Sequence, residues 1–126
     1  MPGAYLLVIA LDRELPVRLP RRPEAVLPCG LYGYCGSARG PGGLAARVRR
    51  HLRADKRPHW HIDRLTAAGR IVDVHLRPGG SECDLVNELL SQPDVGVPIP
   101  GFGSSDCRRC PAHLVALPTD FEVSSL

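Results

Sequence analysis

The sequence predicts an α/β domain: a small, mostly antiparallel central sheet flanked by helices. Three observations carry that prediction. Ala4 to Leu11 (AYLLVIAL) is a continuous apolar run with valine, isoleucine and tyrosine, the composition of a central strand buried on both faces. Arg70 to Arg77 (RIVDVHLR) alternates as a strand does, with Ile71, Val72, Val74 and Leu76 apolar. Two other stretches, LAARVRRHLR from Leu44 and SECDLVNELLSQ from Ser81, space their apolar residues at helical intervals.

Taken in order, the remaining segments fit around these four. Leu15 to Leu19 reads as a possible second strand, which Pro16 and Pro20 confine to an edge. Pro20 to Pro28 is rich in proline and arginine and reads as a loop. Gly30 to Gly36 (GLYGYCG) alternates tyrosine with glycine, the mark of a strand whose backbone is closely approached. Arg39 to Gly43 is a turn. In the helix that follows, Leu44, Val48 and Leu52 form one apolar stripe with arginines on the other faces, and Pro58 ends it. His59 to Leu65 (HWHIDRL) fits either a short strand or a helical turn. Pro78-Gly79-Gly80 is a turn. Ser81 and Asp84 then approximate a capping box, and Cys83, Val86 and Leu90, or Leu85 and Leu89, supply the buried stripe. Pro93 to Ser105 is loop, with a glycine-rich turn at 101–105, and Ala112 to Leu117 is the last strand. The expected organisation is one domain over 1–118 and a C-terminal tail over 119–126.

A chain of 126 residues, 44% hydrophobic and 23% charged, is long enough to bury a core without disulfides. An aromatic content of 5% argues against a platform of stacked aromatics for single-stranded bases. The net charge of +3 matters less than its placement. Arg39, Arg47, Arg49, Arg50, Arg53, Lys56, Arg57 and Arg64 face only Asp55 and Asp63, a basic block that favours polyanions, nucleic acid first. A solvated helix face is the plainer alternative. No segment is apolar for long enough to span a membrane, and the N-terminus has no basic region of a signal peptide. Five cysteines, an odd number, fit a reducing compartment, so the cytoplasm is expected.

A wider pattern joins these pieces. Gly3-Ala4-Tyr5 opens the first strand, Tyr34-Cys35-Gly36-Ser37-Ala38 lies in a later one, Arg47 follows on a helix, and Glu82 stands early on another helix. This order resembles the GIY-YIG nuclease superfamily. The likeness is closest to a small branch whose members stand alone or are fused to glycosylases of the endonuclease III type. Further signatures of that branch are Gly43-Leu44-Ala45-Ala46-Arg47-Val48-Arg49-Arg50-His51, His59-Trp60-His61-Ile62-Asp63, Glu82-Cys83 and Gly101-Phe102-Gly103-Ser104-Ser105-Asp106-Cys107. Gly30-Leu31-Tyr32 spells the first motif more faithfully than Gly3-Ala4-Tyr5, but it shares a strand with Tyr34 and so is excluded. Tyr5 and Tyr34 stand further apart than in the usual hairpin, so an extra loop or strand is inserted between them.

The resemblance implies a metal-dependent endonuclease that hydrolyses nucleic-acid phosphodiester bonds, with Tyr5, Tyr34, Arg47 and Glu82 as its working set. Attack on a phosphodiester builds charge on its oxygens. A single Mg²⁺ or Mn²⁺ held by Glu82 would neutralise that charge, and Arg47 would offer a planar fork of donors that never loses its charge. Tyr5, with its pKa lowered toward neutrality, would deprotonate water that Tyr34 orients. Gly36, Gly42 and Gly43 would let backbone N–H groups approach a phosphate. The nucleic acid, DNA in preference to RNA, would be gripped by Arg39, Arg49, Arg50, His51, Arg53, Lys56 and Arg57. Association with DNA-repair enzymes follows from the same likeness, and no membrane partner is expected because no apolar segment is long enough to span one. The alternative is a nuclease fold that binds nucleic acid with little or no turnover.

Some candidates remain beside this set. On a strand, His59, His61 and Asp63 would share a face and line the cleft, or form a structural strip that packs Trp60 inward; Ser104 and Asp106 would border it. Cys107-x-x-Cys110-x-x-His113 has zinc-like spacing but stops at three ligands. Cys83 or His75 are the conceivable fourth, and zinc at Cys107, Cys110 and His113 is not expected. A zinc or thiol-redox protein built around those three is the third class of function.

Overall fold

The computed structural model describes residues 2–19, 23–38, 43–52, 61–100, 102 and 111–126. Its centre is strand β1 (Gly3–Leu11), flanked by β4 (Gly30–Ala38) on one side and β5 (Arg70–Pro78) on the other. Strand β6 (Leu114–Leu117) closes the far side of β4, giving a four-stranded sheet of order β5-β1-β4-β6 in which every pairing is antiparallel. The apolar run that marks β1 in the sequence is apolar because both faces of this strand are covered. Its alternate residues feed two cores.

Tyr5, Leu7, Ile9 and Leu11 point to one face, where helices α1 (Gly43–Leu52) and α2 (His61–Ala68) bring Leu44, Ile62 and Leu65. Ala4, Leu6 and Val8 point to the other, where helix α3 (Glu82–Leu90) brings Cys83, Leu85, Val86 and Leu89. This is the layered α/β arrangement that the sequence predicts, with three helices around a mostly antiparallel sheet.

Between β1 and β4 the chain forms a two-stranded ribbon, β2 (Leu15–Val17) against β3 (Ala25–Leu27). The ribbon is the inserted element that the spacing of Tyr5 and Tyr34 demands. Strand β3 falls within a stretch read as loop, because three residues among prolines carry no periodicity of their own. Its pairing with β2 creates it. His61 to Leu65 is helical, so the strand alternative for that stretch does not hold. Residues two apart on a helix diverge, so the shared face expected of a strand here does not form. His59 lies outside the described residues.

Helix α3 begins as its sequence requires: the Ser81 hydroxyl accepts the Asp84 N–H at 3.5 Å from an extended N-cap. The C-terminal residues Phe121, Val123 and Leu126 pack against the α3 face of the sheet. No helix among the described residues is long and apolar enough to cross a membrane.

Candidate active site

The site is built where β1, β4 and α1 meet. In the register of β1 and β4, Tyr5 lies opposite Gly36 and Leu7 opposite Tyr34, so both tyrosines stand on one face of the sheet. Their ring centroids are 6.4 Å apart with the planes at 51°. Gly36 has a reason other than phosphate approach: a Cβ there would collide with the Cζ and hydroxyl of Tyr5, whose ring crosses over it. The glycine of Tyr34-Cys35-Gly36 is thus shaped by the tyrosine of Gly3-Ala4-Tyr5.

Helix α1 covers this pair. His51, only 2% exposed, places Nε2 2.8 Å from the Tyr5 hydroxyl, with ring centroids 5.5 Å apart. Its ring also meets Tyr34 edge-on at 6.1 Å. Arg47 stands one turn earlier on the same helical face and hydrogen-bonds the Tyr5 hydroxyl. The phenol can either donate to Nε2 or accept from it, according to the imidazole tautomer.

Glu82 opens α3, with its side chain 29% exposed and Oε2 3.9 Å from His113 Nδ1. Its charge acts on Tyr5, Tyr34 and Cys35 alike, which brings the carboxylate into the electrostatic field of the tyrosine pair. Among the described residues no group of three or more histidine, cysteine or acidic side chains is arranged to hold a metal. A partly open lone carboxylate matches the habit of Mg²⁺, which keeps most of its waters and takes one or two protein carboxylates with substrate phosphates.

The electrostatics of the tyrosines run opposite to the expectation of a lowered pKa. Burial raises Tyr5 well above the usual phenol range, and the charge of Tyr34 adds to this; the Arg47 guanidinium opposes it without overcoming it. Tyr34 is pushed up to about 12, first by burial and then by Glu82. Taking a phenolate out of water costs more than one neighbouring arginine returns.

Other sequence candidates sort by position. Arg50, read as a nucleic-acid contact, is engaged by Asp63 in a two-pronged ion pair, Nη1 to Oδ1 and Nη2 to Oδ2, each 3.0 Å. Asp63, read as lining the cleft, is 1% exposed and ties α2 to α1 through that pair. Arg49 remains an exposed side chain, its Nε donating to the Ala45 carbonyl at 3.3 Å. His51, read as a nucleic-acid contact, is buried on Tyr5. The stripe Leu44, Val48, Leu52 turns out to end on His51, since Leu52 is 56% exposed. The available signal was the spacing of Leu44, Val48 and His51, which keeps one helical face once histidine is allowed into it. Tyr32, excluded on sequence grounds, is a core residue whose hydroxyl donates to the Pro28 carbonyl at 2.6 Å. Arg39, Arg53, Lys56, Arg57, His59, Ser104, Asp106, Cys107 and Cys110 lie outside the described residues.

An antiparallel α/β domain with a Tyr–His pair buried between sheet and helix and Arg47 beside it is the class that fold and site define. Over residues 4–125 the chain matches the family described as domain of unknown function DUF123, and it belongs to that family. No curated protein and no solved structure matches it.

Proposed function

We propose that this domain is a metal-dependent endonuclease of the GIY-YIG type, hydrolysing nucleic-acid phosphodiester bonds. The observation that carries the reading is the shared hydroxyl of Tyr5, hydrogen-bonded by Arg47 and 2.8 Å from His51 Nε2. A phenol merely filling a core needs no guanidinium and no imidazole four residues apart on one helix. Here a permanent cation and a proton acceptor converge on one small polar group.

The chemistry follows from these atoms. Tyr5 is neutral at physiological pH because burial raises its pKa, so it acts as a relay rather than as a preformed phenolate. With His51 in the tautomer whose Nε2 accepts, an attacking water gives a proton to the phenol oxygen as the phenol proton passes to the imidazole 2.8 Å away. Arg47 presents its fork to the phosphate oxygens on which charge builds. A divalent cation held at Glu82 would supply neutralisation of that charge and of the leaving oxygen. The role of Tyr34 is to orient the water beside Tyr5.

Incubation of the full chain with supercoiled plasmid DNA and Mg²⁺ or Mn²⁺ tests this. The expected result is nicking, with Glu82→Ala lowering the rate by about 100-fold or more while filter binding of the DNA persists. Nicking at the wild-type rate by Glu82→Ala would refute the metal assignment.

The raised pKa values of both tyrosines favour one second reading, a nucleic-acid-binding module with weak or no turnover. It predicts binding that falls steeply with salt and no nicking with either cation.

A further inference from the structure

Glu82 is the carboxylate on which the proposed reaction relies, and its direction needs a cause. It is the first residue of α3 and its side chain is 29% exposed, so its torsions are free to swing the carboxylate into solvent unless a neighbour holds it. Among the described residues it pairs with one side chain, His113, whose Nδ1 lies 3.9 Å from Oε2.

His113 is itself firmly placed. It immediately precedes β6 and is 5% exposed. Its N–H donates to the Phe102 carbonyl at 2.8 Å, and its carbonyl accepts from the Cys35 N–H at 2.9 Å. Cys35 follows Tyr34 in β4, so the second of these bonds ties His113 to the strand that carries one of the two site tyrosines. A buried polar ring anchored to that strand, with one nitrogen toward a half-open carboxylate, has more to do than fill a core.

We infer that His113 is a positioning residue: carrying its proton on Nδ1, the imidazole orients the Glu82 carboxylate for the divalent cation. The inference rests on the reading of Glu82 as the ligand of that cation. Carboxylates that bind metals are themselves held by hydrogen bonds from outside the coordination shell, and losing such a partner weakens metal binding by about 10–100-fold. At 3.9 Å the contact is longer than a closed hydrogen bond, and contacts of this kind commonly tighten only when substrate binds. A neutral imidazole suits the place, because it holds one carboxylate oxygen without setting a second positive charge against the cation. In that tautomer Nε2 is the acceptor, and the Cys83 thiol faces it with Sγ at 3.9 Å.

Binding of Mn²⁺ to the full-length protein, read from the electron paramagnetic resonance signal of the free ion, tests this without cleavage. His113→Leu keeps the apolar bulk and removes the donor, whereas His113→Asn keeps an N–H close to the place of Nδ1. The leucine variant is expected to bind Mn²⁺ about 10–100-fold more weakly than the wild type, and the asparagine variant to recover most of the loss. Unchanged affinity in His113→Leu would overturn the inference, as would an asparagine variant as weak as the leucine one. Where His113→Leu does not fold, imidazole nitrogen NMR of the wild-type protein decides. The expected signature is a His113 ring protonated at Nδ1 whose resonances move when Mg²⁺ is added; an unprotonated Nδ1 would overturn it. Glu82→Gln separates the two claims. A wild-type chain that binds no Mn²⁺, or Glu82→Gln binding as the wild type does, refutes the cation site and this inference with it. Binding lost in Glu82→Gln but kept in His113→Leu refutes the role of His113 alone.

Discussion

The Tyr5 ring crosses Gly36 with its hydroxyl between the His51 imidazole and the Arg47 guanidinium. Tyr5, Tyr34 and Arg47 are legible in the sequence because each sits in a short motif in the right order. His51 is singled out as a nucleic-acid contact, but its burial on Tyr5 is legible only through the helical spacing it shares with Leu44 and Val48. The burial that makes this cluster also predicts its alkaline behaviour. An unfolded phenol titrates near pH 10, whereas burial raises all three tyrosines in the folded chain, Tyr34 to about 12 and Tyr5 further. Their contribution to stability is complete below pH 10. It falls as pH rises above 10, where the unfolded chain releases protons that the folded chain retains, and it is gone once pH passes the folded values. Tyrosinate absorbance at 295 nm and far-ultraviolet circular dichroism should therefore change together in one step above pH 10. Tyrosinate appearing near pH 10 with the fold intact would show that the phenols are not buried as described.

At the scale of elements, the cluster depends on how α1 is held. The paired Arg50 and Asp63 join α1 to α2, three residues from Arg47 and next to His51. Arg50→Ala removes both bonds to a carboxylate that is 1% exposed, and is expected to cost about 1–3 kcal/mol in urea unfolding. Lysine at this position should recover only part of that, since it cannot reproduce the two-pronged geometry. An unchanged unfolding midpoint for Arg50→Ala would mean that the pair does not hold the helices together. Sequence reading handles elements unevenly for a physical reason. β1 and α3 announce themselves because burial imposes a local pattern, and Ser81 marks its helix start by its own hydrogen bond. β3 and α2 do not: one owes its existence to a partner strand, and the other is too short for strand and helix periods to separate.

Across the whole molecule, β1 serves two cores at once, and the proposed site residues come from both sides of it. Tyr5 and Tyr34 share their face with α1, whereas Glu82 comes from α3, which packs on the opposite face, and still acts on both tyrosines. The layered fold can be read from local patterns. The relative placement of residues 5, 34, 47 and 82 cannot, because it is set by strand order and by where α3 starts, neither of which a linear period encodes. If the four form one site, their removal cannot be additive. Single-turnover cleavage by Tyr5→Phe, by Glu82→Gln and by the double variant measures this directly. Each single change should slow cleavage by about 100-fold or more, and the double variant should be no slower than the worse single by more than about threefold. Losses that multiply in the double variant, or a single variant that cleaves at the wild-type rate, would contradict a shared site.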